Sequence, residues 1–304
     1  MRAPADEKID EGFERHVGPV RDGLLALLDA SMDIGDRWGS LPDAGSSAMA
    51  ELAAEHEYEG AEPWGDEPVR QAHNLASLLL VGADDSARAA CTLLSQERAP
   101  VYAHMVLARS TLELAGRASW LVDNGIGIRL RIARGFNDRL YGLGQQDFLP
   151  LEGADKRRAL ERRTAVFAEG ERLGFRKVRD RRNGTSLEEK RPTATQLVRR
   201  LLADGKDPQL GGAVYALFSA VAHGTTFGMS KSITLDAPET PTTPGVTWGA
   251  VYTSSRDVCS VLTAMILGIG TAFRARNVLF GWQADEWDHA YVDVIRRAKE
   301  SLGF

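Results

Sequence analysis

A helical hydrophobic period, sustained over most of the chain, limits the fold more than any other feature. From Pro68 to Met229, and again from Ser254 onward, apolar residues recur at three- and four-residue steps. Such spacing puts the apolar side chains on one face of a helix, and that face is stable when another element covers it. We therefore expect an all-α protein, with residues 68–304 forming one multi-helix bundle domain.

The expected helices begin after capping residues or first-turn prolines and end at glycine or polar turns. They cover residues 68–81, 86–96, 100–124, 126–143, 155–173, 193–202, 208–223, 254–280 and 285–302. A capping box at Thr193 and Gln196 marks one start. A turn at 82–85 separates the first two helices. In the helix 126–143, the polar positions are filled by Arg129, Arg131, Arg134 and Arg139.

Residues 1–67 are expected to form a second unit, an acidic N-terminal helical arm followed by a linker. The apolar residues of the arm keep a helical period from Phe13 to Ile34. Pro19 should kink or restart this helix, because proline has no backbone N–H. The first residues contain no apolar signal-peptide core, which favours a cytoplasmic protein.

Two segments depart from the helical pattern. Residues 229–253 are rich in proline and threonine and contain β-branched residues. This composition predicts an excursion from the bundle, with a short hairpin between 232–235 and 246–252. Residues 175–191 are strongly basic around an Asn-Gly turn, and they predict an exposed loop or two frayed helix ends.

The most apolar stretch of the chain is residues 258–273. Its 16 residues are fewer than the ~20 that cross a bilayer, so we expect a buried core helix and no membrane partner. Gly268 and Gly270 inside this stretch favour close helix packing over phosphate binding. Cys91 and Cys259 also lie in apolar helical runs, which is typical of small buried thiols in a reducing compartment.

One apolar helix carries three reactive side chains on a single stripe. Tyr215, Ser219 and His223 are spaced four residues apart, and the helix breaks at Gly224. We expect the Ser219 hydroxyl to bond the backbone carbonyl of Tyr215 rather than to act as a nucleophile, since no G-x-S-x-G motif occurs. Tyr215 and Ser219 are candidate ligand-binding residues, and His223 is a candidate catalytic residue.

A second helix carries Arg109, Glu113 and Arg117 at the same spacing. We expect this helix to pack against the helix of His223. The three side chains and His223 would then form a buried polar cluster. The cluster has three plausible uses: a general base, an anion-binding site, or a salt-bridge network that fixes the helix crossing. Arg109 and Glu113 are candidate catalytic residues, and Arg117 is a candidate ligand-binding residue.

Charge is distributed unevenly along the chain. Residues 1–108 carry 8 basic and 20 acidic side chains, whereas residues 109–200 carry 21 and 12. A basic block of this kind favours either an anionic partner or an acidic arm that folds against it. Residues 172–191 alone carry eight Lys or Arg. They predict either contact with RNA or another anionic ligand or a solvated loop that contacts the acidic arm. The candidate ligand-binding residues there are Arg176, Arg179, Arg181 and Arg182.

The sequence predicts neither a metal site nor a cofactor. One E-x-x-H motif occurs, Glu286 to His289. A di-iron bundle needs two such motifs and further glutamates, so a surface ion pair is favoured. The sequence contains no Cys-x-x-Cys, no H-E-x-x-H and no phosphate-binding glycine loop after a strand.

The segments ARSTLELAGRASWLVD (108–123) and YALFSAVAHGT (215–225) together resemble a pattern in uncharacterised bacterial all-α proteins related to the HEPN superfamily. HEPN domains are helical bundles, and many are metal-independent ribonucleases of toxin and phage-defence systems. Their catalytic signature is Arg followed, after four to six residues, by His. The stretch from Arg98 to His104 matches this signature. The resemblance implies a helical bundle that acts on RNA.

Three functional hypotheses follow. The first is a HEPN-like module that binds RNA or another anionic ligand, including a toxin- or defence-type ribonuclease. The second is a non-catalytic scaffold or regulatory protein in which the polar cluster is structural. The third is a small-molecule enzyme with a pocket between the helices 100–124 and 208–225. The sequence leaves a homodimer open in each case.

Overall fold

The structure is a computed structural model, and it describes most of the chain. The described residues are 4–39, 41–60, 66–96, 99–146, 149–150, 152–180, 184–203, 208–231, 234–236, 250–282 and 284–302.

Eleven α-helices make up most of the described part of the chain, which confirms the all-α class and the multi-helix bundle. They are α1 (Pro4–Arg37), α2 (Ser47–Ala53), α3 (Pro68–Leu94), α4 (Ala103–Leu121), α5 (Ile128–Gln145), α6 (Gly153–Arg172), α7 (Ala194–Ala203), α8 (Pro208–Ala222), α9 (Thr226–Lys231), α10 (Ser255–Phe280) and α11 (Ala284–Leu302). A short 3-10 helix, Glu55–Glu57, follows α2.

Two helix starts have the caps that the sequence predicts. The Ser254 hydroxyl accepts a hydrogen bond from the Asp257 N–H at 3.1 Å and caps α10. At the start of α7, the Thr193 hydroxyl accepts from the Gln196 N–H at 3.3 Å, and the Gln196 side chain accepts from the Thr193 N–H at 2.9 Å. These bonds satisfy N–H groups that have no partner within the helix.

The predicted turn at 82–85 and a restart of α1 at Pro19 are both wrong, whereas a kink at Pro19 stays a prediction. α1 continues through Pro19 as one helix, and its packing against α10 and α11 offsets the backbone hydrogen bond that proline cannot make. α3 also continues through the predicted turn at 82–85. Gly82 allows α4 to approach, because a Cβ there would lie 3.2 Å from Leu114 Cδ1. Asp84 pairs with Arg88 at 2.8 Å, one turn further along, instead of capping a new helix.

A β-hairpin occupies part of the basic segment for which the sequence predicts a loop. Strand β1 (Lys177–Asp180) pairs antiparallel with β2 (Gly184–Leu187). The prediction of an exposed loop is wrong because the hairpin packs against α5. Leu187 is fully buried, and the side-chain amide of Asn137 both donates to the Leu187 carbonyl at 2.8 Å and accepts from its N–H at 2.7 Å.

A second hairpin confirms that strands form in the segment 229–253. Strand β3 (Thr234–Asp236) pairs antiparallel with β4 (Ala250–Tyr252), and Leu235 lies opposite Val251. The rest of the predicted strands, at 232–233 and 246–249, lies outside the described residues.

The core of the described chain consists of two hydrophobic clusters. The larger joins α1, α3, α4, α7, α8, α10 and α11, and the smaller lies between α5, α6 and the β1–β2 hairpin. α1 contributes Val17 and Leu24 to the larger cluster, so the arm is buried against the bundle. The division of the chain into domains at residue 67 stays a prediction.

α10 lies in the middle of the larger cluster. It contacts α1, α4 and α11, and close packing at its glycines is confirmed. A Cβ at Gly268 would lie 2.5 Å from Leu112 Cδ2 of α4. By length and composition α10 could also cross a bilayer, but in this structure most of its apolar stretch is buried in the protein.

Both cysteines are buried free thiols, as the sequence predicts. Burial raises the pKa of the Cys91 thiol to about 12 and that of Cys259 to about 11. Both groups are therefore protonated at neutral pH and act as small apolar side chains.

The close approach of α10 to α4 predicts the effect of Gly268→Ala. The added methyl group has to displace Leu112 and Leu201, both of which are buried. We expect the free energy of unfolding to fall by about 1–3 kcal/mol, as for other overpacked cores. Urea denaturation measures this change.

Gly142→Ala is the matched control. Gly142 is exposed within α5, and a Cβ there would meet nothing within 4 Å. This change should raise the free energy of unfolding by up to about 1 kcal/mol, because alanine favours a helix. Equal stability of the Gly268→Ala variant and the wild type would contradict the proposed packing.

Candidate functional site

The candidate site lies where α4 packs against α8, and this packing of the two helices is confirmed. The Glu113 carboxylate joins them. One of its oxygens, Oε1, accepts a hydrogen bond from Arg109 Nε at 2.8 Å and another from the Tyr215 hydroxyl at 2.7 Å. Arg109 lies one turn before Glu113 on α4, whereas Tyr215 comes from the facing side of α8. The Glu113 carboxylate thus holds the Arg109 guanidinium and the Tyr215 hydroxyl next to each other.

His223 completes the cluster at the C-terminal end of α8. Its backbone N–H donates to the Ser219 carbonyl at 3.0 Å, and Gly224 then ends the helix with a φ of +62°. Glycine adopts this left-handed conformation without the steric cost of a Cβ. The turn directs the imidazole towards α4, where Nε2 lies 3.4 Å from Arg109 Nη1.

The cluster is half-exposed, whereas the sequence predicts a buried one. The side chains of Arg109 and Glu113 are 24% and 31% exposed, and His223 is exposed. Tyr215 alone is buried, at 6%. The prediction fails because His223 lies beyond the last turn of α8, past the apolar surface that covers Tyr215. Solvent, and hence a ligand, can reach the Arg109–His223 pair.

Burial and the Glu113 carboxylate both shift the pKa values of its two neighbours. Burial raises the pKa of Tyr215, and the hydrogen bond and charge of Glu113 raise it further, to about 12. Burial lowers the pKa of Arg109, but the hydrogen bond and charge of Glu113 have the larger combined effect, so the net direction is upward. At neutral pH, Tyr215 is therefore a neutral donor and Arg109 a fixed cation.

Ser219 lies on the same stripe but contributes no side-chain bond. Among the described residues its hydroxyl has no hydrogen-bond partner, so the predicted bond to the Tyr215 carbonyl is wrong. The helix allows either orientation of a serine hydroxyl, because the backbone carbonyl already accepts an N–H. Thr111 on α4 does bond back in this way, to the Leu107 carbonyl at 2.9 Å.

Arg117, a predicted ligand-binding residue, lies in a different cluster. It forms a two-pronged ion pair with Asp138 of α5, at 3.0 Å from Nε to Oδ1 and 2.7 Å from Nη2 to Oδ2. Asp138 is 2% exposed and also accepts from Arg191 at 3.3 Å. Arg191 in turn stacks on the ring of Tyr141, 3.7 Å from its centroid. This arrangement ties α4 and α5 to the segment after β2.

Two arginines of α5 are buried, although the sequence places them on the polar face of the helix. Arg131 is 1% exposed and Arg134 is 5% exposed. Arg131 pairs with Glu51 at 2.6 Å, and Arg134 pairs with Glu189 at 2.6 Å. Burial raises the pKa of Glu51, but its hydrogen bonds to His73 and Arg131 lower it more. Helical spacing alone does not distinguish a solvated arginine from one that reaches an acid on another element.

Some cations of the basic segment 172–191 pair with neighbouring acids. Arg172 pairs with Glu169, and Lys177 pairs with Glu171. Glu188 accepts from the Arg176 N–H at 3.2 Å. Arg179 is exposed on β1, whereas Arg181 and Arg182 lie outside the described residues.

The acidic arm does contact the basic middle part of the chain. The ion pair between Glu51 and Arg131 links the two regions. Most of the described basic side chains that pair in 109–200 do so with acids of the same region.

The Arg-to-His signature of the resemblance does not form an open site. His104 is fully buried, and its Nδ1 lies 3.1 Å from the Pro100 carbonyl. Burial lowers the pKa of His104, so the ring is neutral at pH 7. Arg98 lies outside the described residues.

Acidic residues of the E-x-x-H motif form surface ion pairs, as the sequence predicts. Glu286 pairs with Arg37 at 2.8 Å, and Asp288 pairs with Arg274 at 2.7 Å. Within the described residues, no group of three or more His, Cys, Asp or Glu side chains is placed to hold a metal ion.

Comparisons with known proteins return no match, whether the chain is compared with family models, with curated proteins or with solved structures.

The contact between Glu113 and Tyr215 predicts a late titration of this phenol. The pKa of Tyr215 in the folded chain, about 12, lies above the value of about 10 for an unfolded chain. Its stabilising contribution is therefore complete below pH 10 and is lost as the pH rises through 12. The absorbance of wild type minus Tyr215→Phe at 295 nm should have its midpoint near pH 12.

N-acetyltyrosinamide serves as the reference for an unperturbed phenol in this titration. A difference curve with its midpoint near pH 10 would mean that Glu113 does not hold the Tyr215 proton.

Proposed function

We propose that the protein is a helical RNA-binding module and that the Arg109–His223 pair receives a phosphate group of the RNA. The observation that supports this is the distance of 3.4 Å between Arg109 Nη1 and His223 Nε2, on an exposed part of the α4–α8 contact. One phosphate oxygen can accept a hydrogen bond of about 2.8 Å from each nitrogen when Nε2 carries a proton, since that is the usual length of a charge-assisted hydrogen bond.

The position of Arg109 favours this use. Its Nε is occupied by Glu113 and its guanidinium lies 5.9 Å from the centre of the Tyr215 ring. The guanidinium is thereby held in one place while Nη1 remains available beside His223. A pre-positioned cation loses less side-chain entropy when an anion binds than a free one would.

The same geometry supports phosphodiester cleavage as a second candidate function. An exposed imidazole next to a fixed guanidinium pairs a group that can accept a proton with one that can neutralise charge on a phosphate oxygen. In such a reaction His223 would take the proton of the ribose 2′-hydroxyl as its oxygen attacks phosphorus. The bond from phosphorus to the 5′-oxygen would break, which leaves a 2′,3′-cyclic phosphate and a 5′-hydroxyl that takes its proton from water. Cleavage of this kind agrees with the resemblance to the HEPN superfamily.

The rival hypothesis is that the cluster only fixes the crossing of α4 and α8. Its side chains are Arg109, Glu113, Tyr215 and His223. Tyr215 and Glu113 are suited to this, because their hydrogen bond is partly buried and links the two helices. His223 is not, because an exposed side chain contributes little to stability. Substitution of His223 therefore separates the two hypotheses.

The test compares His223→Ala with His289→Ala, a matched change at another exposed histidine. Fluorescence anisotropy measures the affinity for a labelled single-stranded RNA. We expect the His223 variant to bind about 10- to 100-fold more weakly, which is the effect of losing one hydrogen bond to a charged group. The His289 variant should bind like the wild type, and both should keep the wild-type melting temperature.

Incubation of the RNA in the presence of EDTA tests for cleavage in the same samples. Products with 2′,3′-cyclic phosphate ends that disappear in the His223 variant would establish the ribonuclease activity. A His223 variant that loses stability yet binds RNA normally would support the structural role and contradict the proposal.

A further inference from the structure

The first two turns of α6 are exposed on all sides. Every residue from Glu152 to Arg158 is exposed, and the first buried position of the helix is Val166. The second half is anchored, because Glu169 is buried and Gly170 lies against Leu187 of the β1–β2 hairpin. A helix that is exposed on all sides over its first two turns gains little burial energy there, so packing does not account for its composition.

The first half of the helix, residues 153–163, is largely exposed and strongly basic. It carries five basic and two acidic side chains: Lys156, Arg157, Arg158, Arg162 and Arg163, with Asp155 and Glu161. Arg158 lies 3.5 Å from Asp155. In the described part of the chain, no carboxylate lies within ion-pairing distance of Lys156, Arg157 or Arg162. We call residues 153–163 the cationic half of α6.

The basic segment 172–191 also pairs some of its cations with acids. In that segment Arg172 and Lys177 are paired with Glu169 and Glu171. The two adjacent parts of the chain thus have similar basic composition, and in both of them ion pairs neutralise only some of the cations. The unpaired cations of the cationic half of α6 leave a positive potential that an anion can meet.

The side chains of the cationic half favour a polyanion over a membrane surface or a second copy of the helix. A membrane-surface helix needs a broad apolar face, but the large apolar side chain exposed here is Leu160 alone among residues 153–163. A second copy of the same helix would bring like charges together, which opposes association. A polyanion with regularly spaced charges complements basic side chains that surround the helix.

We infer that the cationic half of α6 is a binding surface for the phosphate backbone of single-stranded RNA. The inference rests on the proposed function for the class of ligand and assigns a second contact with it, on a separate element. An open depression beside Leu160 and Thr164, bordered by Arg157, lies on the same part of α6. A base can cover Leu160 there while the arginine contacts its phosphate.

The test removes the three unpaired cations together, in the variant Lys156→Gln, Arg157→Gln, Arg162→Gln. The control variant is Arg296→Gln, Arg297→Gln, Lys299→Gln, which removes the same number of charges from exposed positions of α11. Anisotropy with a fluorescein-labelled U12 RNA is measured for the full chain between 50 mM and 500 mM salt.

We expect the α6 variant to reduce the slope of log K against log salt by about 2, since each phosphate contact on a single strand contributes about 0.7. The affinity at 0.1 M salt should fall about a hundredfold, because that difference accumulates over the tenfold range below 1 M. The control variant should change the slope by much less. Circular dichroism confirms that both variants keep the helix content of the wild type.

Three results would overturn the inference. In the first, both variants weaken binding equally, so net charge alone is responsible. In the second, the α6 variant binds RNA like the wild type. In the third, the α6 variant loses binding to phosphatidylserine vesicles while its RNA affinity is unchanged. If the α6 variant proves unstable, the single change Arg157→Glu gives the same test, with an expected loss of about tenfold.

The two sites are separated by comparison with His223→Ala. If the α6 variant loses affinity and the His223 variant does not, the surface on α6 stands and the phosphate site at Arg109–His223 fails. The reverse result leaves the proposed function and removes the surface on α6. A wild-type chain that does not bind U12 RNA at 50 mM salt overturns both.

Discussion

The hydrogen bonds of the Glu113 carboxylate are the interaction on which the candidate site depends. One oxygen holds Arg109 of its own helix and Tyr215 of α8, so the crossing of α4 and α8 and the position of the guanidinium are set by the same group. Loss of that oxygen would leave a phenol that is 6% exposed without an acceptor and an arginine free to move. A buried donor without a partner costs about 1–3 kcal/mol.

The position of each side chain along α4 and α8 then decides whether it is buried in the helix contact or accessible to a ligand. Tyr215 lies inside the contact of α4 and α8, whereas His223 lies two turns later, where α8 ends and solvent begins. Arg109 spans the two, with Nε inside the network and Nη1 beside the imidazole. Farther along α4, Arg117 is committed to Asp138. The polar stripe of α4 therefore has Arg109, of the accessible Arg109–His223 pair, at one end. At its other end it has Arg117, of the structural ion pair with Asp138.

Much of the fold is predictable from the sequence, because helical spacing and caps are local properties. The capping boxes, the core role of α10 and the strands of 229–253 follow from residues close together in the chain. The wrong predictions concern contacts between distant segments. Gly82 indicates a turn by itself, but its lack of a side chain serves the approach of Leu114.

Buried charge is the part that the sequence does not reveal. Arg131 and Arg134 have the spacing of solvated residues, and only the fold brings Glu51 and Glu189 to them. The β1–β2 hairpin likewise depends on Asn137 of another helix. The candidate site is only partly predictable from the sequence. The spacing on each helix predicts the cluster, whereas the exposure of His223 depends on where α8 ends.

The phosphate site at Arg109–His223 is tested most directly by long-range ¹H–¹⁵N correlation NMR of the His223 ring nitrogens during titration with uridine 3′-monophosphate. We expect a saturable shift of Nε2 that is absent in Arg109→Met, while the signals of His289 stay unchanged. Binding of the nucleotide without any change at His223 would contradict the proposed site.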